Sequence, residues 1–261
     1  IFRKMSFADS TGDAIPFYHE GKYHIFSLTS PPGTTVYPER LRTTWSHSIS
    51  DDLVHWQELP TALYPGEGDE PDASGVWTGS VIYGEGQYHA FYTGYCLTAE
   101  FQQTICHATS DDGITWTKDI ANPVITPMTE LYEKLDWRDP YVFYNEEDEN
   151  YWILISARRL DMPVTRRGCI VLYRSKNLKD WTYYGPIYSP GHTNCPECPE
   201  MYKMGGHWYL SYSRFSEFVN TIYRVSESPF GPWRKPKKDG IGGRRFYAAK
   251  SMQNDDAVSY T

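Results

Sequence analysis

Residues 21–28, GKYHIFSL, followed by residues 45–59, WSHSISDDLVHWQEL, form the pattern that decides the fold of this chain. An aromatic strand and a second strand precede a short polar turn that ends in tryptophan. The pattern returns three times, at residues 86–95 with 105–119, at 150–158 with 170–184, and at 206–214 with 221–236. Short runs of alternating apolar and polar residues, bounded by Gly, Asn, Asp or Pro, are typical of β-strands.

The spacing of the repeat predicts a β-propeller. The closing tryptophans, Trp56, Trp116, Trp181 and Trp233, are 60, 65 and 52 residues apart. A unit of this length has room for about four strands, which is one propeller blade with long loops. The tail, residues 244–261, has room only for the start of a further blade. We therefore predict an all-β fold, a five-bladed β-propeller with four-stranded antiparallel blades and an incomplete fifth blade, as one domain over residues 1–261.

Composition excludes several classes of function. The chain has 25 Lys and Arg against 33 Asp and Glu, a formal charge of −8, and its most basic stretch (residues 234–238) is short, so we expect no nucleic-acid partner. No apolar run approaches the ~20 residues of a membrane-spanning helix, so we expect no membrane partner. Five cysteines favour reduced thiols and a cytoplasmic location, with secretion after removal of a leader as the alternative. Oligomeric state is left open.

No metal or other cofactor is predicted. Cys195 and Cys198 form a lone C-x-x-C with His192 nearby. A structural zinc site usually has a second pair of ligands, and the sequence offers no clear one.

Three acidic residues occupy nearly the same phase of three repeats. Asp13, Asp139 and Glu197 lie 10, 12 and 11 residues before the opening aromatic residue of their repeats. The innermost strands of a propeller line its central channel, so residues of equal phase are expected to converge at one mouth. Each acid alone is as readily explained by a turn or a solvated surface, but the shared phase favours a common site. Carboxylates meeting in a groove suit glycosidic cleavage, with one as nucleophile, one as proton donor and one to orient the sugar.

Motifs around these residues resemble glycoside hydrolase family 32, the invertases, levanases and inulinases. The similar segments occur in the family's order: TTWSHSISDDLVHWQELPTAL (residues 43–63), VWTGS (76–80), ATSDDGITWTK with NPVI (108–118 and 122–125), WRDPYVF (137–143), ECPEMYKM (197–204) and RRFYAAKS (244–251). They cover almost the whole chain. The resemblance implies a five-bladed propeller and a retaining double displacement through a covalent fructosyl-enzyme.

The resemblance also implies roles for the three acids. Glu197 matches the general acid/base, and Asp139 matches the transition-state stabiliser, which with Arg138 would grip the 3- and 4-hydroxyls of the sugar. Asp13 is the best match to the nucleophile, and Asp9 is its rival. Retention requires the carboxyl groups of Asp13 and Glu197 to lie about 5–5.5 Å apart.

The N-terminal motif departs from the family pattern. The family reads W-M-N-D-P-N-G where this chain reads STGDAIP (residues 10–16). Gly12 replaces the Asn before the nucleophile, and Leu28 falls where the family often has Gln. Both family residues contact the sugar, so their loss bears on which sugar is held. Family members often carry a C-terminal β-sandwich, for which we expect no room in this chain.

Four further residues are candidate sugar contacts. For the tryptophans among them, packing inside the blades is the alternative. The four are Trp45, Trp77, Trp137 and Ser80.

The sequence thus predicts an enzyme that releases terminal β-D-fructofuranosyl units from sucrose or fructans, with an oligosaccharide or small sugar as its partner. Three alternatives stay open. One is a furanosidase for another sugar, such as an arabinofuranosidase, and the second is a fructosyltransferase. The third is a non-catalytic sugar-binding propeller, which the altered N-terminal motif and the incomplete fifth blade would suit.

Overall fold

A computed structural model describes residues 10–34, 36–215, 218–243, 245–255 and 259–260 of the chain. The chain divides into two compact units, one formed by Ile1–Thr126 with Lys250–Thr261 and the other by Pro127–Ala249. Two short 3₁₀ segments, Glu39–Leu41 and Val164–Arg166, lie in connections between strands. The described part of the chain has no helix long and apolar enough to cross a membrane.

The first unit contains two four-stranded antiparallel sheets. In the first sheet the order is β1-β2-β3-β4, and in the second it is β5-β6-β7-β8. A two-stranded sheet near the end of the chain, β17-β18, also belongs to this unit. The strands are β1 (Thr11–His19), β2 (Lys22–Thr29), β3 (Thr44–Ser50), β4 (Trp56–Leu63), β5 (Gly75–Gly84), β6 (Gln87–Tyr95), β7 (Gln103–Ser110), β8 (Thr117–Lys118), β17 (Met252–Gln253) and β18 (Ser259–Tyr260).

The second unit repeats this organisation, with sheet orders β12-β11-β10-β9 and β13-β14-β15-β16. Its strands are β9 (Tyr132–Asn145), β10 (Asn150–Arg159), β11 (Gly168–Ser175), β12 (Thr182–Tyr188), β13 (Glu197–Met204), β14 (His207–Arg214), β15 (Asn220–Ser226) and β16 (Gly240–Ile241). Four blades are therefore complete in the described residues, and β17-β18 is all that represents the fifth. The prediction of four-stranded antiparallel blades with an incomplete fifth is confirmed.

The polar turn of the sequence repeat has a structural cause. In the first sheet the Asp52 carboxylate accepts hydrogen bonds from the backbone N–H groups of Val54 and His55, both at 2.8 Å. Asp112 and Asn177 accept the same pair of bonds in the second and third sheets. A side-chain oxygen that caps the next two N–H groups stabilises a tight turn. The repeat therefore marks the connection between the third and fourth strands of these blades.

The first strand of every complete sheet contains a β-bulge, which lies near the beginning of the strand in three sheets and in the middle of the longer β9. Two residues of this strand lie opposite one residue of the neighbouring strand, which bends the strand and redirects its side chains. The register places Gly12 and Asp13 opposite Leu28, Trp77 and Thr78 opposite Thr93, Asp139 and Pro140 opposite Ile155, and Cys198 and Pro199 opposite Tyr212.

Each unit is held together by a hydrophobic core between its two four-stranded sheets. In the first unit Phe26 and Trp45 pack against Val76 and Tyr92. In the second unit the third and fourth sheets meet through a cluster that includes Leu172, which is completely buried. Removing such side chains from water is the main favourable contribution to folding.

Truncation of a core leucine tests this packing. Leu172→Ala should lower the free energy of unfolding by about 2–5 kcal/mol, because the lost side chain leaves a cavity that the sheets cannot close. Leu131, in the same unit, is 45% exposed, so Leu131→Ala should change stability by less than about 0.5 kcal/mol. Urea unfolding followed by tryptophan fluorescence measures both variants. Equal effects would contradict the assigned core.

Candidate active site

Asp13 lies in the bulge of β1, in the first unit. Its side chain is half-buried, and its Oδ2 accepts a hydrogen bond from the hydroxyl of Thr78. Thr78 occupies the same bulge position in β5 that Asp13 occupies in β1. The two equivalent bulges of this unit therefore face each other through a carboxylate and a hydroxyl group. Asp9, the rival candidate, lies outside the described residues.

The bulge register refines the phase of the three acids. Glu197 immediately precedes the bulge of β13, Asp139 is the first bulge residue of β9, and Asp13 is the second bulge residue of β1. They therefore hold three consecutive positions of one recurring feature, rather than a single shared position. The distances from the opening aromatic residues do not show this difference, because the first and second strands and the connections between them differ in length.

Asp139 is held in an unusual backbone conformation in the second unit. Its φ angle is 56°, in the left-handed region that non-glycine residues rarely adopt, and Cys198 has a φ of 49°. The Oδ2 atom of Asp139 accepts a hydrogen bond from the backbone N–H of Cys198 at 2.9 Å, and the residue is 4% exposed. Such conformations concentrate at functional sites, where surrounding contacts maintain them. The bulges of β9 and β13 are thus joined to each other through the Asp139 carboxylate.

Each carboxyl oxygen of Glu197 accepts a hydrogen bond from a described residue of the same unit. Arg138 donates from Nη2 to Oε1 at 2.7 Å, and the hydroxyl of Tyr247 donates to Oε2. The Glu197 side chain stays 21% exposed, so it is fixed in direction and still reaches solvent. Tyr247 is not among the site residues predicted from the sequence. The RRFYAAKS motif, in which it stands, was the signal that could have identified it.

Arg138 is the cation at the centre of this cluster. Besides Glu197, its guanidinium contacts Asp136 through Nη1, and its Nε lies 3.8 Å from Asp139. Burial by itself lowers the pKa of Arg138. The negative charges of Asp139, Glu197 and Asp136 outweigh burial and raise that pKa well above its usual value. Arg138 therefore stays charged over the whole working range of pH.

The four remaining sugar-contact candidates separate by burial. Trp45 and Trp137 are completely buried, and Trp45 belongs to the core of the first unit. Both are therefore packing residues, and not walls of a sugar pocket as predicted. Their large rings fill interior space that a smaller side chain would leave empty. Ser80 is 4% exposed on β5. Trp77 is partly exposed in the bulge of β5, where it stacks on Tyr95 with 4.0 Å between the ring centroids. Trp77 is thus the aromatic candidate that retains an accessible surface.

The cysteines supply no alternative chemistry in the described structure. All five are free and buried, including Cys195 and Cys198 of the C-x-x-C. Burial raises the pKa of Cys195, which keeps it as a neutral thiol. Among the described residues no group of three or more His, Cys, Asp or Glu side chains is arranged to hold a metal ion.

Removal of the central cation gives a test of the cluster. Arg138→Gln should cost about 3–5 kcal/mol of stability at pH 7, because the carboxylates of Asp136 and Glu197 lose their shared partner. The deficit should shrink as the pH falls towards 4, since protonated carboxyl groups leave no charge unpaired. Urea unfolding at both pH values measures it. Lys22→Gln, which removes an exposed ion pair with Asp51, should cost less than about 1 kcal/mol. A deficit independent of pH would contradict the assigned charge cluster.

The chain has relatives among known proteins. It is 27% identical over 263 residues to a sucrose-6-phosphate hydrolase of Zymomonas mobilis subsp. mobilis, covering 92% of this chain and 49% of that protein. It is 33% identical to the levanase of Bacillus subtilis, covering 72% of this chain and 26% of the levanase. The chain thus spans about half the length of the first relative and about a quarter of the second.

The fold and the family follow from two further comparisons. A GH32 β-fructofuranosidase of Bombyx mori superposes with a TM-score of 0.77 at 24% identity, covering 94% of this chain and 53% of that protein. This likeness concerns the fold, and the predicted β-propeller class is confirmed. The model of the glycosyl hydrolases family 32 N-terminal domain matches residues 13–260. The chain therefore belongs to glycoside hydrolase family 32.

Proposed function

We propose that this chain carries the catalytic residues of a β-fructofuranosidase that releases terminal β-D-fructofuranosyl units from sucrose or fructans. The observation that supports it most is the recurring bulge, which presents carboxylates at three consecutive positions in β1, β9 and β13. Membership of the family and the printed names of its relatives, sucrose-6-phosphate hydrolase and levanase, support the class of substrate.

The proposed reaction has two displacement steps. In the first, the Asp13 carboxylate attacks the anomeric carbon of the fructosyl unit while protonated Glu197 gives its proton to the leaving oxygen. The products are the free leaving group and a fructosyl ester of Asp13. In the second, Glu197 as carboxylate removes a proton from water, and the resulting oxygen nucleophile displaces Asp13. Fructose leaves, and both carboxyl groups return to their starting forms.

The charge cluster of the second unit suits Glu197 for this double role. Asp136, Asp139 and Glu197 surround one guanidinium, that of Arg138. If all three carboxyl groups ionised, they would outnumber the two arginines that contact them, Arg138 and Arg158, and leave a formal charge of −1. Repulsion between like charges favours holding one proton among them. The carboxyl group of Glu197 is partly exposed, and its partner Tyr247 has a hydroxyl that can turn to accept a hydrogen bond from a protonated carboxyl group, so we place the proton on Glu197.

The stabilising role of Asp139 rests on its rigidity. Its carboxylate is buried, bonded to the Cys198 N–H and close to Arg138. A fixed negative charge of this kind can accept hydrogen bonds from sugar hydroxyls and balance the positive charge of an oxocarbenium-like transition state without reorganising.

The identity of the sugar depends on the altered N-terminal motif. Gly12 is exposed, and a Cβ atom at this position would lie 3.3 Å from the Cβ of Leu28. Leu28 packs against the core of the first unit. Since neither position supplies a polar group, the second candidate function is a furanosidase for another sugar, such as an arabinofuranoside.

Two substitutions test the catalytic assignment. Glu197→Gln should lower kcat about 10²–10⁴-fold, the usual contribution of a general acid/base, and Asp13→Asn should lower it at least about 10³-fold, because the nucleophile is lost. Initial rates are measured on whichever substrate the wild-type protein cleaves fastest among sucrose, kestoses, inulin, levan and nitrophenyl furanosides.

The controls replace exposed acids in the same two units, with Glu147→Gln and Asp51→Asn, and circular dichroism verifies folding of all four variants. These controls should keep wild-type activity. Wild-type turnover in either Glu197→Gln or Asp13→Asn would overturn the assigned role. Cleavage of arabinofuranosides alone would transfer the proposal to the second candidate function.

Stereochemistry tests the double displacement separately. In methanol–water mixtures a retaining enzyme transfers the fructosyl unit to methanol and gives methyl β-D-fructofuranoside, because two inversions restore the configuration. The NMR spectrum of the first product formed distinguishes this anomer from the α form. Initial formation of the α anomer would rule out the covalent intermediate and leave the hydrolytic activity itself standing.

A further inference from the structure

We propose that Arg158 is a positioning residue that sets the protonation of Glu197 through Asp136 and Arg138. This inference rests on the proposed role of Glu197 as acid/base. Arg158 lies at the end of β10, in the second unit, and is 5% exposed. It contacts neither Glu197 nor Asp139 in the described structure, so its influence would be transmitted by the groups between them.

The register of β9 brings two acids to Arg158. Ala157 pairs with Trp137, and Arg159 pairs with Tyr132, so the four residues 133–136 of β9 lie opposite Arg158 alone. This enlarged bulge turns the side chains of Glu133 and Asp136 towards the guanidinium. Arg158 Nε lies 2.7 Å from Glu133 Oε2 and 3.3 Å from Asp136 Oδ2.

The network continues in both directions as an alternation of charges. Asp136 contacts Arg138, which donates to Glu197. On the other side, Glu133 contacts Arg167 as well as Arg158. Three arginines and three carboxyl groups therefore form one chain that begins at Arg167 and ends at the proposed acid/base.

Arg158 also fixes the backbone that leads to Glu197. Its Nη1 donates to the carbonyl oxygen of Asn194 at 3.0 Å and contacts the Asn194 side chain, and its Nη2 donates to the carbonyl oxygen of Val164 at 3.1 Å. Asn194 precedes Glu197 by three residues. One buried guanidinium thus contacts both the strand that carries Arg138 and the segment that leads into β13 and Glu197.

The electrostatic consequence has a definite sign. Arg158 neutralises Asp136, which leaves more of the positive charge of Arg138 to act on Glu197. The charged and titratable groups that face Arg158 are Glu133 and Asp136 from β9, Arg167 and the neutral thiol of Cys195. Removing the Arg158 charge should therefore favour protonated Glu197, and removing the Glu133 charge should favour ionised Glu197.

The test compares the alkaline limb of the pH profile of kcat/KM, which reports the acid of the free enzyme. In Arg158→Gln this limb should move to higher pH by about 0.5–1 pH unit, because a positive charge is lost beside the Asp136–Arg138–Glu197 chain in a partly buried site. Glu133→Gln should move the alkaline limb to lower pH by a smaller amount. Arg158→Lys, which keeps the charge, should return the limb most of the way to the wild-type position.

Arg159→Gln is the matched control, because the neighbouring Arg159 pairs with the exposed Asp161 instead. Its limb should stay at the wild-type position. A purely structural role would reduce kcat without shifts of opposite sign in Arg158→Gln and Glu133→Gln, and that result would overturn the proposal. If Arg158→Gln fails to fold, the Glu133→Gln and Arg158→Lys limbs decide alone. Wild-type protein inactive on every furanoside would overturn the proposed function and this role with it, whereas active variants with unshifted limbs would overturn this role only.

Discussion

A single backbone irregularity, two residues facing one in the first strand of each complete blade, is the constraint on which the candidate site depends. A regular strand would send successive side chains to opposite faces of the sheet. The bulge breaks this alternation and directs Asp13, Asp139 and the residue after Glu197 out of the regular ladder. The left-handed conformations of Asp139 and Cys198 are the local cost of that redirection, and their mutual hydrogen bond maintains them.

Charge balance is the second constraint, and it follows from the first. The bulges of β9 and β13 bring buried carboxyl groups together, and a buried carboxylate is stable only when it is paired or hydrogen-bonded. Arg138 supplies the pairing at the centre, and Arg158 supplies it one step further out. Structure and proposed chemistry therefore share the same groups. The cation that lets the fold tolerate several acids also limits which of them can hold a proton.

The two units differ in how closely their motifs match those of the family. The acid/base side, in the second unit, keeps the motifs WRDP and ECP with their contacts, whereas the first unit has Gly12 and Leu28 at positions that are polar in the family. Leu28 is partly buried and packs against the core, so it offers apolar surface at a position where the family often has a polar contact to the sugar. The second unit thus bears on bond cleavage, and the first unit bears on which hydroxyl pattern the bound sugar has.

The sequence by itself determined the blades, because strand alternation and the turn capped by Asp or Asn are local features encoded within a few residues. It also predicted Arg138, Asp139 and Glu197 as site residues, since their motifs are contiguous. Tertiary structure decided what depends on register and burial. It placed Trp45 and Trp137 in the interior, joined Tyr247 to Glu197 across 50 residues, and set Arg158 opposite the enlarged bulge of β9. The position of Arg158 could not be predicted, because a bulge shifts strand pairing by one or more residues and leaves no periodic mark in the sequence. The burial of the two tryptophans and the contact of Tyr247 with Glu197 depend on packing between segments that are distant in the sequence.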